Sequence, residues 1–264
     1  RGHELIVPHR VDECPPAYLG KVLMPWPNRV AGGAYSWEGT SYDLPVDEPA
    51  FGTSLHGFVA FQDWQVERAD ASLVQLSTLI AARYSYPWTL LASARYSLDA
   101  RAGLAVELSA TNVGQSTAPL GVGFHPYLAV DGIRADDREL TNPASISCEA
   151  DKNMIPVAAH DVAGFGLDFR SPARIGEAGL DRCFAGLPPG TWTVTLRDPD
   201  SGVGVSLSSD ARWLQVYSAD NIDRVGIAVE PMSCPPNAFN SGEDLITLAV
   251  GQSHSFTYRL REED

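Results

Sequence analysis

Along most of this chain apolar and polar residues alternate with a period of two, the pattern of strands that turn one face to a core. "AYSWEGTSYDL" (34–44) alternates on both sides of Glu38-Gly39 and predicts a hairpin. "RYSLDARAGLAVELSATN" (95–112) predicts a second, with Tyr96 and Leu98 before the turn and Leu104, Val106 and Leu108 after it. In "TWTVTLRDPDSGVGVSLSS" (191–209), Trp192, Val194 and Leu196 are expected to face Val203, Val205 and Leu207 across a Pro/Asp/Gly turn. "DLITLAVGQSHSFTYRL" (244–260) predicts two short strands that close the chain. No stretch of ten or more residues carries a 3.6-residue apolar stripe with helix caps. The expectation is one all-β domain over residues 1–264, a large antiparallel β-sandwich.

Composition narrows the function classes. A formal net charge of −14 argues against nucleic acid and anionic membrane as partners, because both reward basic patches. Cys14, Cys148, Cys183 and Cys234 are widely spaced with no CxxC pair, which predicts reduced thiols and a cytoplasmic location. No apolar run approaches the ~18 residues of a membrane span. The chain opens "RGHELIVPHR", without a methionine and without the apolar core of a signal peptide.

Four segments break the strand pattern. "MPWPNRVAGG" (24–33) sets Asn28 and Arg29 after a Pro-Trp-Pro corner, and "SLHGF" (54–58) sets His56 beside a glycine. "GFHPYL" (123–128) carries His125, and "VGIAVEPMSCPPNAFN" (225–240) runs an apolar strand into Glu230 and then a proline-rich loop. Each polar residue alone fits a structural role. Together they supply an imidazole, a carboxylate and further hydrogen-bonding groups. His125 and Glu230 each stand before a proline, which cannot donate to a sheet ladder, so both are expected at an open edge or rim. There is no nucleotide-binding glycine motif and no metal-ligand cluster such as HExxH.

"PWPNRVAGG", "YSWEGTSYDL", "LHG", "GFHPYL", "GLDRCF" and "VEPMSCPPNAFN" occur in this order from about Pro25 to Asn240. In these motifs the chain resembles the aldose 1-epimerase (mutarotase) family of the galactose mutarotase-like superfamily. The resemblance implies an antiparallel supersandwich whose concave sheet holds one sugar, with no cofactor and no metal. It implies His125 as general acid and Glu230 as general base. Arg29, His56 and Asp181 would bind sugar hydroxyls, with Asn28 and Trp64 as further candidates for the pocket wall. It also implies a strand or two ahead of Arg1 that this sequence lacks. A monomer or a homodimer would serve.

Anomer interconversion suits such residues. A base takes the proton of the C1 hydroxyl, an acid protonates the ring oxygen, the C1–O5 bond breaks, and closure on the other face reverses the transfers. A carboxylate near pKa 4.3 and an imidazole near about 6.5 are apt for the two roles, and Asp181 is a candidate to help keep the imidazole protonated. An aromatic such as Trp64 or Trp37 could cover the apolar ring face, although core packing is the expected role of Trp37. A second expectation is a relative acting on a 6-phosphate or sulfonated hexose, which would need Arg83, Arg95, Arg212 and Arg224 gathered near the anion. A third is a carbohydrate-binding domain without catalysis.

Overall fold

The period-two alternation resolves into two large antiparallel sheets that share one apolar core in the computed structural model, which describes residues 2–10, 12–132, 134–177 and 179–263. One sheet has nine strands, in the order Ala173–Arg174, Glu139–Thr141, Trp192–Arg197, Gly204–Ser209, Ser253–Glu263, Gly103–Asn112, Leu90–Asp99, Leu73–Ile80 and Gln65–Ala69. The other has eight, in the order Val22–Leu23, Gly123–Phe124, Ile227–Met232, Trp213–Tyr217, Asp181–Ala185, Ile146–Ala150 and Pro156–Asp161, with Tyr127–Leu128 also paired to Ile227–Met232. Among the described residues the one α-helix is Ala238–Ser241, and no helix is long and apolar enough to cross a membrane.

The hairpins form as the pattern predicts. Ala34–Trp37 pairs with Thr40–Asp43 through Glu38 (φ 49°) and Gly39 (φ 80°), the two left-handed residues of a type I′ turn. Leu90–Asp99 pairs with Gly103–Asn112 along its whole length. Two details differ. Trp192–Arg197 does pair with Gly204–Ser209, but Val203 belongs to the turn, where its carbonyl accepts from Asp198 N, and Trp192 lies opposite Ser209. The last strand, Ser253–Glu263, has 11 residues, because it lies between Gly204–Ser209 and Gly103–Asn112 and pairs with both.

The eight-stranded sheet has two unlike faces. Along Ile227–Met232, Ile227 and Val229 enter the main core, while Ala228 and Met232 pack into small clusters on the opposite side. Loops cover that second face, so all six residues of the strand are buried. Burial on both faces is why this strand reads as an unbroken apolar run. Glu230 shares the covered face with Ala228 and Met232.

Candidate active site

Strand register brings His125 and Glu230 together. Gly123 lies opposite Met232, Tyr127 opposite Ala228 and Leu128 opposite Ile227, and the same register sets His125 opposite Glu230. His125 Nε2 is 3.3 Å from Glu230 Oε1. The sequence placed both at a rim, but Ile227–Met232 has neighbours on both sides. The prolines are tolerated for another reason. Val229 N donates to Pro126 O at 3.1 Å, so Pro231, two residues on, turns its donor-less nitrogen to the same side. There the neighbouring strand is already split in two around His125-Pro126.

Arg29 and His56 come from a two-stranded ribbon, Arg29–Ala31 with Thr53–Leu55. Asn28 (φ 56°) and His56 (φ 62°) are both left-handed, a costly conformation for such residues. They hold each other there. Asn28 N donates to His56 Nδ1 at 3.1 Å, and His56 N donates to Asn28 O at 3.0 Å. Gly57 must be glycine, since a Cβ there would stand 2.1 Å from the Met24 carbonyl oxygen. Arg29 makes a two-pronged ion pair with Glu48, Nε to Oε2 at 2.7 Å and Nη2 to Oε1 at 2.8 Å, and Thr53 Oγ1 also donates to Glu48. Asp181 accepts from Gln215 Nε2, and Gln215 lies opposite Glu230 on the neighbouring strand.

These groups feel one another electrostatically. Burial pushes Glu230 well above the ordinary carboxylate range; Asp181 adds to that and Arg29 opposes it. Burial raises Asp181 too, against the pull of Arg29 and Gln215. Burial lowers His125 to about 3, and it lowers His56 well below the usual imidazole value with help from His125 and Arg29. Burial alone would lower Arg29, but its hydrogen bonds to Glu48 and the negative charges of Glu48, Asp181 and Glu230 together outweigh that and raise it. The carboxylate that faces His125 is therefore Glu230, and Asp181 faces Arg29 and Gln215. The buried pair favours its uncharged form, with its one titrating proton on the Glu230 carboxyl. His125 Nδ1, Glu230 Oε2 and Gln215 Oε1 are buried with no protein hydrogen-bond partner, which is costly unless a ligand completes the set.

Five of the seven sequence candidates, Arg29, His56, His125, Asp181 and Glu230, thus meet at one place, and Asn28 supports them through its backbone. Trp64 is half-buried, packs on the main core and donates its indole N–H to Val59 O. Trp37 packs on the core beside Trp88, as expected. The rings against the imidazoles are Tyr18, 4.6 Å from His56, and Tyr127, 4.9 Å from His125 and nearly parallel to it. Exposed Phe61 extends the wall 5.1 Å from Tyr18. The sequence reading missed Tyr18, Glu48 and Gln215. Only Gln215 left a signal there, as a lone amide in the apolar strand Trp213–Tyr217.

His56, His125 and Glu230 each offer one ligand atom within 4.8 Å of the others. The donor set does not suit a metal, however. His56 Nδ1 accepts the Asn28 N–H, so the neutral ring carries its proton on Nε2, the nitrogen a metal would need. His56 is a hydrogen-bond donor.

A model of the family described as aldose 1-epimerase matches residues 5–261. The chain is 40% identical over 260 residues to the uncharacterized protein YihR of Escherichia coli (strain K12), spanning 98% of this chain and 84% of that one. It is 28% identical over 209 residues to the galactose mutarotase of Homo sapiens, covering 76% of this chain and 59% of that protein. The solved structure of galactose 1-epimerase from Lactobacillus acidophilus NCFM shares the fold, with a TM-score of 0.85 at 22% identity over 99% of this chain and 86% of that one.

Proposed function

The chain belongs to the aldose 1-epimerase family, a family of isomerases, and we propose that it interconverts the α and β anomers of a hexose with His125 and Glu230 as its acid/base pair. One observation carries the reading: the imidazole and the carboxyl are side by side, 3.3 Å apart, on one face of one sheet. The ring oxygen and the anomeric hydroxyl are bonded to the same carbon, so their acid and base must be neighbours of this kind. The reaction needs one donor and one acceptor, and the pair holds one proton between its two members. Once that proton passes from Glu230 to the imidazole 3.3 Å away, His125 protonates O5 while Glu230 takes the C1 hydroxyl proton. The C1–O5 bond breaks, the aldehyde turns about C1–C2, and closure returns both protons. Each well-placed acid or base contributes about 10²–10⁴-fold.

Arg29, His56 Nε2–H and Asp181 bind hydroxyls in this reading. Asn28 holds His56 in place, and Glu48 and Gln215 hold Arg29 and Asp181. Tyr18 and Phe61 take the role of sugar-covering aromatics that the sequence reading gave to Trp64. The reaction as written uses no cofactor.

A second reading, a hexose with an anionic substituent, is favoured by Lys21. Its ammonium lies 5.4 Å from the Phe61 ring centroid, on the aromatic wall, and it makes no ion pair among the described residues. The four arginines named for this role are dispersed. Arg83 lies over Phe58, Arg95 is opposite Glu107 on the nine-stranded sheet, Arg212 pairs with Asp244 and Arg224 pairs with Asp136 and Asp220.

Polarimetry of freshly dissolved α-glucose and α-galactose, then of hexose 6-phosphates and sulfonated hexoses, tests both readings. Acceleration with neutral sugars supports the first. Acceleration with anionic sugars alone, weakened in Lys21→Gln, supports the second. No acceleration with any of them overturns the proposal.

A further inference from the structure

The row of side chains that holds His125, Glu230 and Gln215 continues across the sheet through two thiols. Cys183 lies opposite Gln215. Ile146 is opposite Ala185 and Ser147 opposite Phe184, and one position further the same register sets Cys148 opposite Cys183. Antiparallel neighbours hold such Cα atoms about 4.5–5.5 Å apart, within the about 4.4–6.8 Å that a disulfide spans. The two cysteines pack together with Trp213 and Met232 in one small cluster. Cys148 lines an open groove of about 640 Å³ together with Ala185, Arg212, Trp213 and Glu243. Cys183 stands behind it, nearer the acid/base pair.

We propose that Cys148 and Cys183 form a reversible dithiol/disulfide pair, closed by a peroxide that enters this groove, and that closure slows the reaction at the neighbouring sugar site. Cys148 lines the groove and Cys183 does not, and proximity to Cys183 holds the Cys148 thiol below its usual range against burial, while Cys183 is raised. Cys148 is thus the attacking sulfur. Its thiolate attacks one peroxide oxygen, the O–O bond breaks, and the other oxygen leaves as hydroxide and takes the thiol proton to become water. The sulfenic acid on Cys148 is then attacked by Cys183; the S–S bond forms, the S–O bond breaks, and the second oxygen leaves as water with the Cys183 proton. Two thiols lose two electrons in all and one peroxide becomes two waters.

Coupling to the site follows from the strand. Cys183 is two residues from Asp181 on the same strand and directly opposite Gln215, which holds Asp181. Drawing Cys183 toward Cys148 shifts that strand, and a displacement of about 1 Å in a catalytic array can cost 10²-fold in rate. This second half of the proposal rests on the sugar reaction proposed above; the first half does not.

The test treats the full chain with hydrogen peroxide, blocks remaining thiols with N-ethylmaleimide, maps linked peptides by mass spectrometry, and follows mutarotation in parallel. Cys14→Ser serves as the background, since Cys14 is an exposed thiol. The expected result is a Cys148–Cys183 linked peptide and a several-fold loss of rate, both reversed by dithiothreitol. Cys148→Ser should keep its basal rate and lose the sensitivity. Recovery of Cys148 and Cys183 as separately alkylated or singly over-oxidised residues would overturn the pair. A linked peptide with an unchanged rate would overturn the coupling. Peptide mapping does not depend on the sugar reaction, so an inactive untreated protein would count against the proposed function and not against the thiol pair.

Discussion

The backbone N–H of Asn28 donates to His56 Nδ1 at 3.1 Å, and this contact decides what His56 can do. The ring presents Nε2–H to the site, and burial keeps it neutral. It can donate to a sugar hydroxyl, but it cannot ligate a metal through that nitrogen. Extended dialysis against a chelator is therefore expected to leave mutarotation unchanged. A loss of rate restored by zinc would show that His56 adopts the other tautomer.

Glu48 holds Arg29 in place. Removing one partner of a buried ion pair costs about 3–5 kcal/mol, and the partial exposure of Glu48, 18% for its side chain, puts Glu48→Gln at the lower end. Thermal unfolding should shift down accordingly. KM should rise more than kcat falls, because in the proposed function Arg29 binds substrate without handling the reacting protons. A mutant with unchanged stability and KM would contradict this role.

Tyr18 packs against His56 at 4.6 Å and against Phe61 at 5.1 Å. An aromatic contact of this kind contributes about 0.5–1.5 kcal/mol. Tyr18→Ala is expected to raise KM by up to about tenfold, with Tyr18→Phe close to wild type. Steady-state rates over a range of sugar concentrations separate the two variants. If Tyr18→Phe were as impaired as Tyr18→Ala, the phenol oxygen would be the working group.

The pH profile follows from the shared proton. In the proposed mechanism the pair works while singly protonated. As pH falls toward the value of about 3 for His125, a second proton is taken up and the base is lost. As pH rises through the raised value of Glu230, the remaining proton leaves and the acid is lost. The acid limb of kcat/KM is therefore expected well below the ordinary imidazole value of about 6.5. An acid limb centred near that value would mean that His125 titrates as a solvated imidazole.

Much of the fold was legible in the sequence because strands alternate and turns use few residue types. Glu38-Gly39 marked its hairpin, and the Val194–Leu207 and Leu196–Val205 pairs were readable from alternation. The candidate site was legible only where its residues interrupt apolar runs: Glu230 and His125 did so, and the ordered motifs added Arg29, His56 and Asp181 as candidates. What stayed hidden depends on pairing between distant segments. No local pattern says that Glu48 meets Arg29, that Tyr18 packs against His56, or that Cys148 and Cys183, far apart in the chain, are opposite one another. The placement at a sheet rim failed because proline argues for an edge only while its neighbour is continuous. Here the neighbouring strand is broken at His125-Pro126.

Glu230→Gln tests the central claim most directly. It keeps the size of the side chain and removes its ability to take a proton. With the best sugar, polarimetry at neutral pH is expected to show kcat reduced by about 10²–10⁴-fold. Titration calorimetry should show sugar affinity within a few-fold of wild type. A variant that turns over at a near-normal rate would contradict the assignment of His125 and Glu230 as the acid/base pair.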